Sequence, residues 1–236
     1  MSFKDEDFIE IEYSAWNAAD NRLVSTTDEK KAKEADIYDE EAAYGPALVV
    51  LGAGGAIKGL DRELRGMSVG ETKKLTFAPE DAFGDRHDEL VKVMPLSAFR
   101  AREIEPYVGM RVNIDGTSVT VKSINSGRVV VDGNHPYAGK SIVYEVRIVK
   151  NLTSEHEKVE ALGRSYGVKP TSAMVKGNTA EVSFDGGVKK DSDYFINKAR
   201  MLASVFSNLK GIEKVLVHEE YLRPKENDKS SKEDSD

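Results

Sequence analysis

The chain has 236 residues, 39% of them hydrophobic, which is enough for one large domain or two to three small ones with a real core. Its formal net charge of −7 excludes a global attraction to phosphate backbones, so no nucleic-acid partner is expected. The absence of cysteine removes disulfides, thiol nucleophiles and thiolate metal sites together, and His87, His135, His156 and His218 contain no pair at metal-binding spacing, so no metal or cofactor is expected.

Residues 1–14 are acidic and strand-like rather than a basic leader before an apolar run, and no apolar stretch reaches membrane-spanning length. The expectation is a soluble, cytoplasmic protein with no membrane partner. Ile9, Ile11 and Tyr13 alternate with Glu10, Glu12 and Ser14, the period of a strand with one dry face. A turn over residues 17–21 leads into a second strand at 22–26. Residues 28–43 are charged and alanine-rich, a partly helical surface loop, and residues 47–51 form an apolar run suited to a buried strand. After the glycines at 52–55, Ile57, Leu60, Leu64 and Met67 fall on one helical face. A turn at 68–70 then gives a strand in which Lys73, Leu75 and Phe77 alternate with threonine and lysine.

The character changes after Phe83 and Gly84. Val91, Val93, Met94, Leu96 and Phe99 follow a polar stretch, with Pro95 suited to start a short helix. Three short strands at 110–114, 118–124 and 128–132 are separated by Asp115-Gly116 and Asn125-Ser126-Gly127, the signature of an antiparallel meander. Residues 133–136 carry the chain out, and a strand at 142–150 returns to the first sheet. A further small unit follows. Ser154 and Glu157 read as a capping box, Val159, Leu162 and Tyr166 as a helix stripe, and the stretch from Met174 to Phe184 as a hairpin. A second helix carries Phe195, Ala199, Leu202, Phe206 and Leu209 on one expected core face, before a last strand at 215–217. Residues 224–236 are too polar to order themselves and are expected to be a disordered tail.

The segment LGAGGAIKGLDRELRGMSVGETKKLTFAPEDAFG resembles the central segment of FKBP-type peptidyl-prolyl isomerases in the order and spacing of its helix, its Met-Ser-Val-Gly-Glu turn and its aromatic-glycine pair. VVVDGNHPYAGKSIVYEVRIV is similar to the return segment of SlyD-like and archaeal members, which carry a chaperone domain in the flap, and the unit after residue 150 resembles the C-terminal domain of the long archaeal type. The resemblance implies an α+β fold: an FKBP-like antiparallel half-barrel around a short helix (1–84 with 133–150), a β-rich insert-in-flap domain (85–132) and a small α/β C-terminal domain (151–223).

It further implies peptidyl-prolyl isomerisation and chaperone action on unfolded or proline-containing polypeptides. Tyr13, Ser25, Ile57, Phe83 and Tyr144 would act in catalysis, with Val24, Ala56 and Leu60 in the proline pocket. Val91, Val93, Met94, Leu96 and Phe99 would offer unfolded chains an apolar groove, or else form the small core of the insert. The sequence departs from the family at Val24 and Ser25, where active members usually carry Phe and then Asp, and Ala47 and Leu60 replace bulkier aromatics. A wider pocket with weaker catalysis is therefore expected, and a non-catalytic holdase or adaptor is the alternative. A homodimer through the C-terminal domain is a second use for part of the Phe195 stripe.

Overall fold

In the computed structural model, which describes residues 2–186 and 191–221, the first alternating stretch becomes strand β1 (Phe8–Asn17). Strand β2 (Leu23–Thr26) pairs antiparallel with its second half. Helix α1 (Glu29–Glu34) follows, capped by Asp28, whose carboxylate accepts from the N–H groups of Lys30 and Lys31. Strand β3 (Ala47–Val50) pairs with the first half of the same β1 edge. Helix α2 (Lys58–Leu64) and strand β4 (Thr72–Phe77) complete the leading segment.

The insert contributes strand β5 (Val91–Pro95), helix α3 (Leu96–Arg100) and strands β6 (Arg111–Ile114), β7 (Thr117–Asn125) and β8 (Arg128–Asp132). Strand β9 (Ile142–Leu152) then returns to the first sheet, between β1 and β4. That sheet is antiparallel throughout, in the order β2-β1-β9-β4 with β3 beside β1. Leu60, Leu64 and Met67 of the α2 segment are buried against Ile9, Ile11, Phe77, Ile142, Val146 and Ile148. Each such side chain contributes about 1.5–3 kcal/mol by leaving water.

The insert forms its own antiparallel sheet in the order β5-β8-β7-β6, around Phe99, Val121, Val129 and Val131. Sequence reading gives three strands here, and the fourth, β5, is the difference. It lies at the sheet edge and ends in Pro95, where a missing N–H costs the ladder little, and Pro95 then caps α3.

Beyond β9 come helix α4 (Glu155–Ser165), strands β10 (Pro170–Lys176) and β11 (Thr179–Phe184), helix α5 (Ser192–Asn208) and strand β12 (Lys214–Glu219). The order is β10-β11-β12, with β12 parallel to β11 because α5 supplies the crossover. Ser154 departs from its expected role: its hydroxyl donates to Glu157 at 2.6 Å instead of capping a helix N–H. Lys150 and Ser154 together hold the Glu157 carboxyl down at about 2.

The core face of α5 also differs from the expected stripe. Of that stripe Leu209 is buried and Leu202 half-buried, while Phe195 is 41% and Phe206 48% exposed and Ala199 faces solvent; Tyr194, Met201 and Val205 turn inward instead. The helix carries apolar residues on both faces, so periodicity alone does not choose the buried one. The core of this last unit includes Phe8, Val50 and Leu152 of the first sheet, and Arg164 reaches Glu10 of β1 at 2.7 Å. The C-terminal unit therefore packs on the sheet face opposite α2. The tail expected at 224–236, and residues 222–223, lie outside the described residues.

Candidate functional site

The pairing of β1 with β9 brings Tyr13 and Tyr144 onto the face that α2 covers, with ring centroids 5.5 Å apart. Phe77 from β4 meets the Tyr144 ring edge-on at 5.9 Å. Ser25 sits opposite Ala15 in the β1–β2 pairing, and its Oγ lies 3.0 Å from the Tyr13 hydroxyl. Burial, and then the neighbouring Tyr13, push the Tyr144 phenol above the usual tyrosine range, so it stays a neutral donor.

Ile57 stands at the start of α2 in extended backbone, and Leu60 lies almost buried one turn later. Val24, Ala56, Ile57 and Phe83 are partly exposed and pack on the same cluster as Tyr13 and Tyr144. The structure thus gathers these residues into one cluster, with Leu60 buried beneath the partly exposed ones. Phe83 is positioned by a 3-10 turn over Pro79–Asp81 and by Gly84, whose φ of +78° allows its N–H to reach the Pro79 carbonyl at 2.7 Å. Arg62 of α2 grips Asp81 through two hydrogen bonds of 3.1 and 2.8 Å, tying this turn to the helix.

Sequence reading missed three contributors. Phe77 reads as ordinary strand core, yet its ring supports Tyr144. His135 stacks on Phe83 at 4.2 Å, and Tyr137 lies 5.9 Å from the same ring. Residues 133–136 read only as a turn, and no local periodicity signals that their side chains close onto an aromatic distant in sequence. Burial and then Arg111 lower the His135 pKa, which favours the neutral ring stacked on Phe83.

In the insert, Val93 is 62% exposed, Val91, Met94 and Leu96 are half-buried, and Phe99 is only 2% exposed. Phe99 therefore builds the insert core, the second of the two roles open to it from the sequence, in place of a binding role, and presents no surface to a client. Val93 and Met94 line a groove with Leu90, Ile114, Val119 and Val131.

A family profile described as FKBP-type peptidyl-prolyl cis-trans isomerase matches residues 2–99, and one described as the IF domain of FKBP26 matches residues 92–137. The chain is 30% identical over 154 residues to a short-type peptidyl-prolyl cis-trans isomerase of Methanocaldococcus jannaschii, an alignment spanning 65% of this chain and 97% of that protein. The chain belongs to the FKBP-type peptidyl-prolyl cis-trans isomerase family. This FKBP-type isomerase is also 32% identical over 143 residues to SlyD of Vibrio cholerae, covering 59% of this chain and 71% of that one. SlyD of Escherichia coli is 28% identical over 153 residues, 63% and 77% of the respective chains.

As an FKBP-type isomerase the protein acts on proline-containing polypeptides. Membership of that family supports the isomerase reading. Among the described residues no helix is long and apolar enough to cross a membrane.

The reaction asks little of covalent chemistry. The barrier of about 18–20 kcal/mol is amide resonance, and an X-Pro bond exchanges unaided in tens to hundreds of seconds. A twisted amide is less polar than a planar one. An apolar, water-poor surface matches it better than water does.

Proposed function

We propose that Tyr13, Ser25, Ile57, Phe83 and Tyr144 form the catalytic group of this isomerase, with Val24, Ala56 and Leu60 seating the proline ring. The supporting observation is the hydrogen bond of 3.0 Å between Tyr13 and Ser25 beside the tyrosine pair, in a largely apolar cluster. Ser25 orients the Tyr13 hydroxyl toward the rotating carbonyl but carries no charge of its own. Ser25→Asp would place a carboxylate where active family members usually carry one. Its expected effect is about a tenfold rise in kcat/KM on a proline tetrapeptide, or about 1.4 kcal/mol of transition-state stabilisation. A protease-coupled peptide assay reads this directly, and an unchanged rate removes Ser25 from the catalytic group.

The polypeptide division proposed is residues 1–84 with 133–150 for isomerisation, 85–132 for capture of unfolded chains, and 151–223 for assembly. Val93, with Val91, Met94 and Leu96, gives the insert an adaptable apolar surface, since an unbranched methionine fits varied partners. Capture there raises the local concentration of X-Pro bonds near the pocket and offsets weak catalysis. In the C-terminal unit Phe195, Ile196 and Phe206 lie exposed on α5, the face through which we place a homodimer. Phe206→Glu is expected to convert a dimer to a monomer in sedimentation equilibrium. A wild-type monomer at high protein concentration would sink that assignment.

A further inference from the structure

Two connectors join the insert to the first sheet, residues 84–90 leading in and 132–139 leading out. Neither is a strand over the stretch where they face each other, yet they are cross-linked. The Gly139 N–H donates to the Gly84 carbonyl at 2.8 Å, and the Gly133 N–H donates to the Leu90 carbonyl at 3.0 Å. Between these two rungs stands Asn134. Its Oδ1 accepts the His87 N–H at 2.8 Å, and its Nδ2 donates to the His87 carbonyl at 2.8 Å. The side-chain amide thereby pairs with both backbone groups of His87, as an opposing strand residue would.

The rung is itself anchored. Asn134 Nδ2 and its backbone N–H both donate to Asp132 Oδ1, at 2.8 and 2.9 Å, and Arg86 donates to Asp132 Oδ2 at 2.8 Å. Asp132 is 2% exposed. Burial alone would raise its carboxyl pKa, but the bonds from Asn134 and Arg86 reverse that and hold it at about 2. The anion is therefore permanent at neutral pH, and Arg86 on the incoming connector is bound to the last residue of β8. Next to this network His135 stacks on Phe83, the rim of the proline pocket. Two bare connectors would leave the insert free to swing, because a hinge needs only a few backbone angles to change. The cross-links oppose that swing at the point where the insert meets the pocket.

We propose that Asn134, held by Asp132 and Arg86, is a positioning clamp that fixes the angle at which the insert presents a captured chain to the proline pocket. The functional part rests on capture by the insert, as proposed above; the mechanical part does not. A loose insert would still bind clients, but it would deliver X-Pro bonds to the pocket at a lower effective concentration.

The chain has no cysteine, so spin labels can be attached at Lys74→Cys on β4 and Glu105→Cys in the insert, both exposed positions. Asn134→Ala is expected at least to double the width of the distance distribution between them. In the same variant kcat/KM on a proline tetrapeptide should stay within twofold. Catalysed refolding of a reduced, carboxymethylated ribonuclease limited by proline isomerisation should fall about tenfold. Arg86→Met, a change at a half-exposed side chain, is measured alongside and should broaden the distribution less; it keeps the test decisive if Asn134→Ala folds poorly. An unchanged width in both variants overturns the clamp. A broadened distribution with an unaltered ratio of refolding to peptide activity overturns its role in presentation. Val93→Lys, with the clamp intact, separates the two layers: if it leaves ribonuclease refolding unaltered, the capture reading fails while the label distances still decide the clamp.

Discussion

Phe8→Ala is expected to lower the stability of the chain by about 4 kcal/mol, the range for removing a buried aromatic ring from a core that cannot collapse around the loss. Phe8 opens β1, pairs with Val50 and Leu152 across the sheet, and is fully buried in the core of the C-terminal unit, with Lys158 Nζ 5.4 Å above its ring. It therefore belongs to two units at once. The strand that carries it presents Ile9 and Ile11 to the α2 side and Phe8 to the α4 side. Urea unfolding of the wild type, followed by far-ultraviolet circular dichroism and by the fluorescence of Trp16 on the same strand, should show one coincident transition, shifted in the variant for both probes. If the Trp16 transition stays in place while the rest of the signal moves, the C-terminal unit folds without reference to the first sheet.

Gly59→Ala is expected to cost about 3 kcal/mol and to lower kcat/KM on a proline tetrapeptide about tenfold. A Cβ built at Gly59 would lie 2.4 Å from Cδ1 and 2.8 Å from Cε1 of Phe77, and 3.1 Å from Cβ of Asp81. The Phe77 ring is buried, so overpacking there falls at the upper end of the usual range of about 1–3 kcal/mol. Any shift of that ring reaches Tyr144, which it meets edge-on, and through Tyr144 reaches Tyr13. Asp81, the second neighbour, holds the turn that carries Phe83. A variant with unaltered midpoint and activity would mean that α2 can withdraw from β4 without cost, and the close approach would lose its significance.

Much of this was legible in the sequence, and the reasons for the exceptions are physical. The alternation in β1 and β4 and the stripe on α2 are readable because each has one wet and one dry face. Phe8 escaped because the start of β1 is dry on both faces, so its partners come from a unit more than a hundred residues further on, as Arg164 bonding Glu10 also shows. Strand β5 escaped because Val-Lys-Val-Met-Pro ends in a residue that usually argues against a strand, and only its edge position removes the objection. On α5 the expected face was right only at its end: Leu209 is buried, Phe195 and Phe206 mimic a core stripe, and Tyr194, Met201 and Val205 fill the core. The residues proposed for the pocket on β1, α2 and β9 were chosen by family likeness, and they fall in one cluster. His135 and Tyr137 were not, since their place against Phe83 is set by the way the chain re-enters the first sheet.

The hydrogen bond from the Gly139 N–H to the Gly84 carbonyl places the two ends of the excursion side by side. Everything between them is, topologically, a loop whose mouth is as narrow as that of a tight turn. The entropy of closing such a loop grows only with the logarithm of its length. Once the mouth is fixed by the surrounding fold, the four-stranded part of the loop can be enlarged or shortened at small cost to the first sheet, whereas His135 and Tyr137, in the same loop, pack against Phe83. The insert is in this sense a long excursion tethered at turn distance, joined to its host where Gly139 meets Gly84.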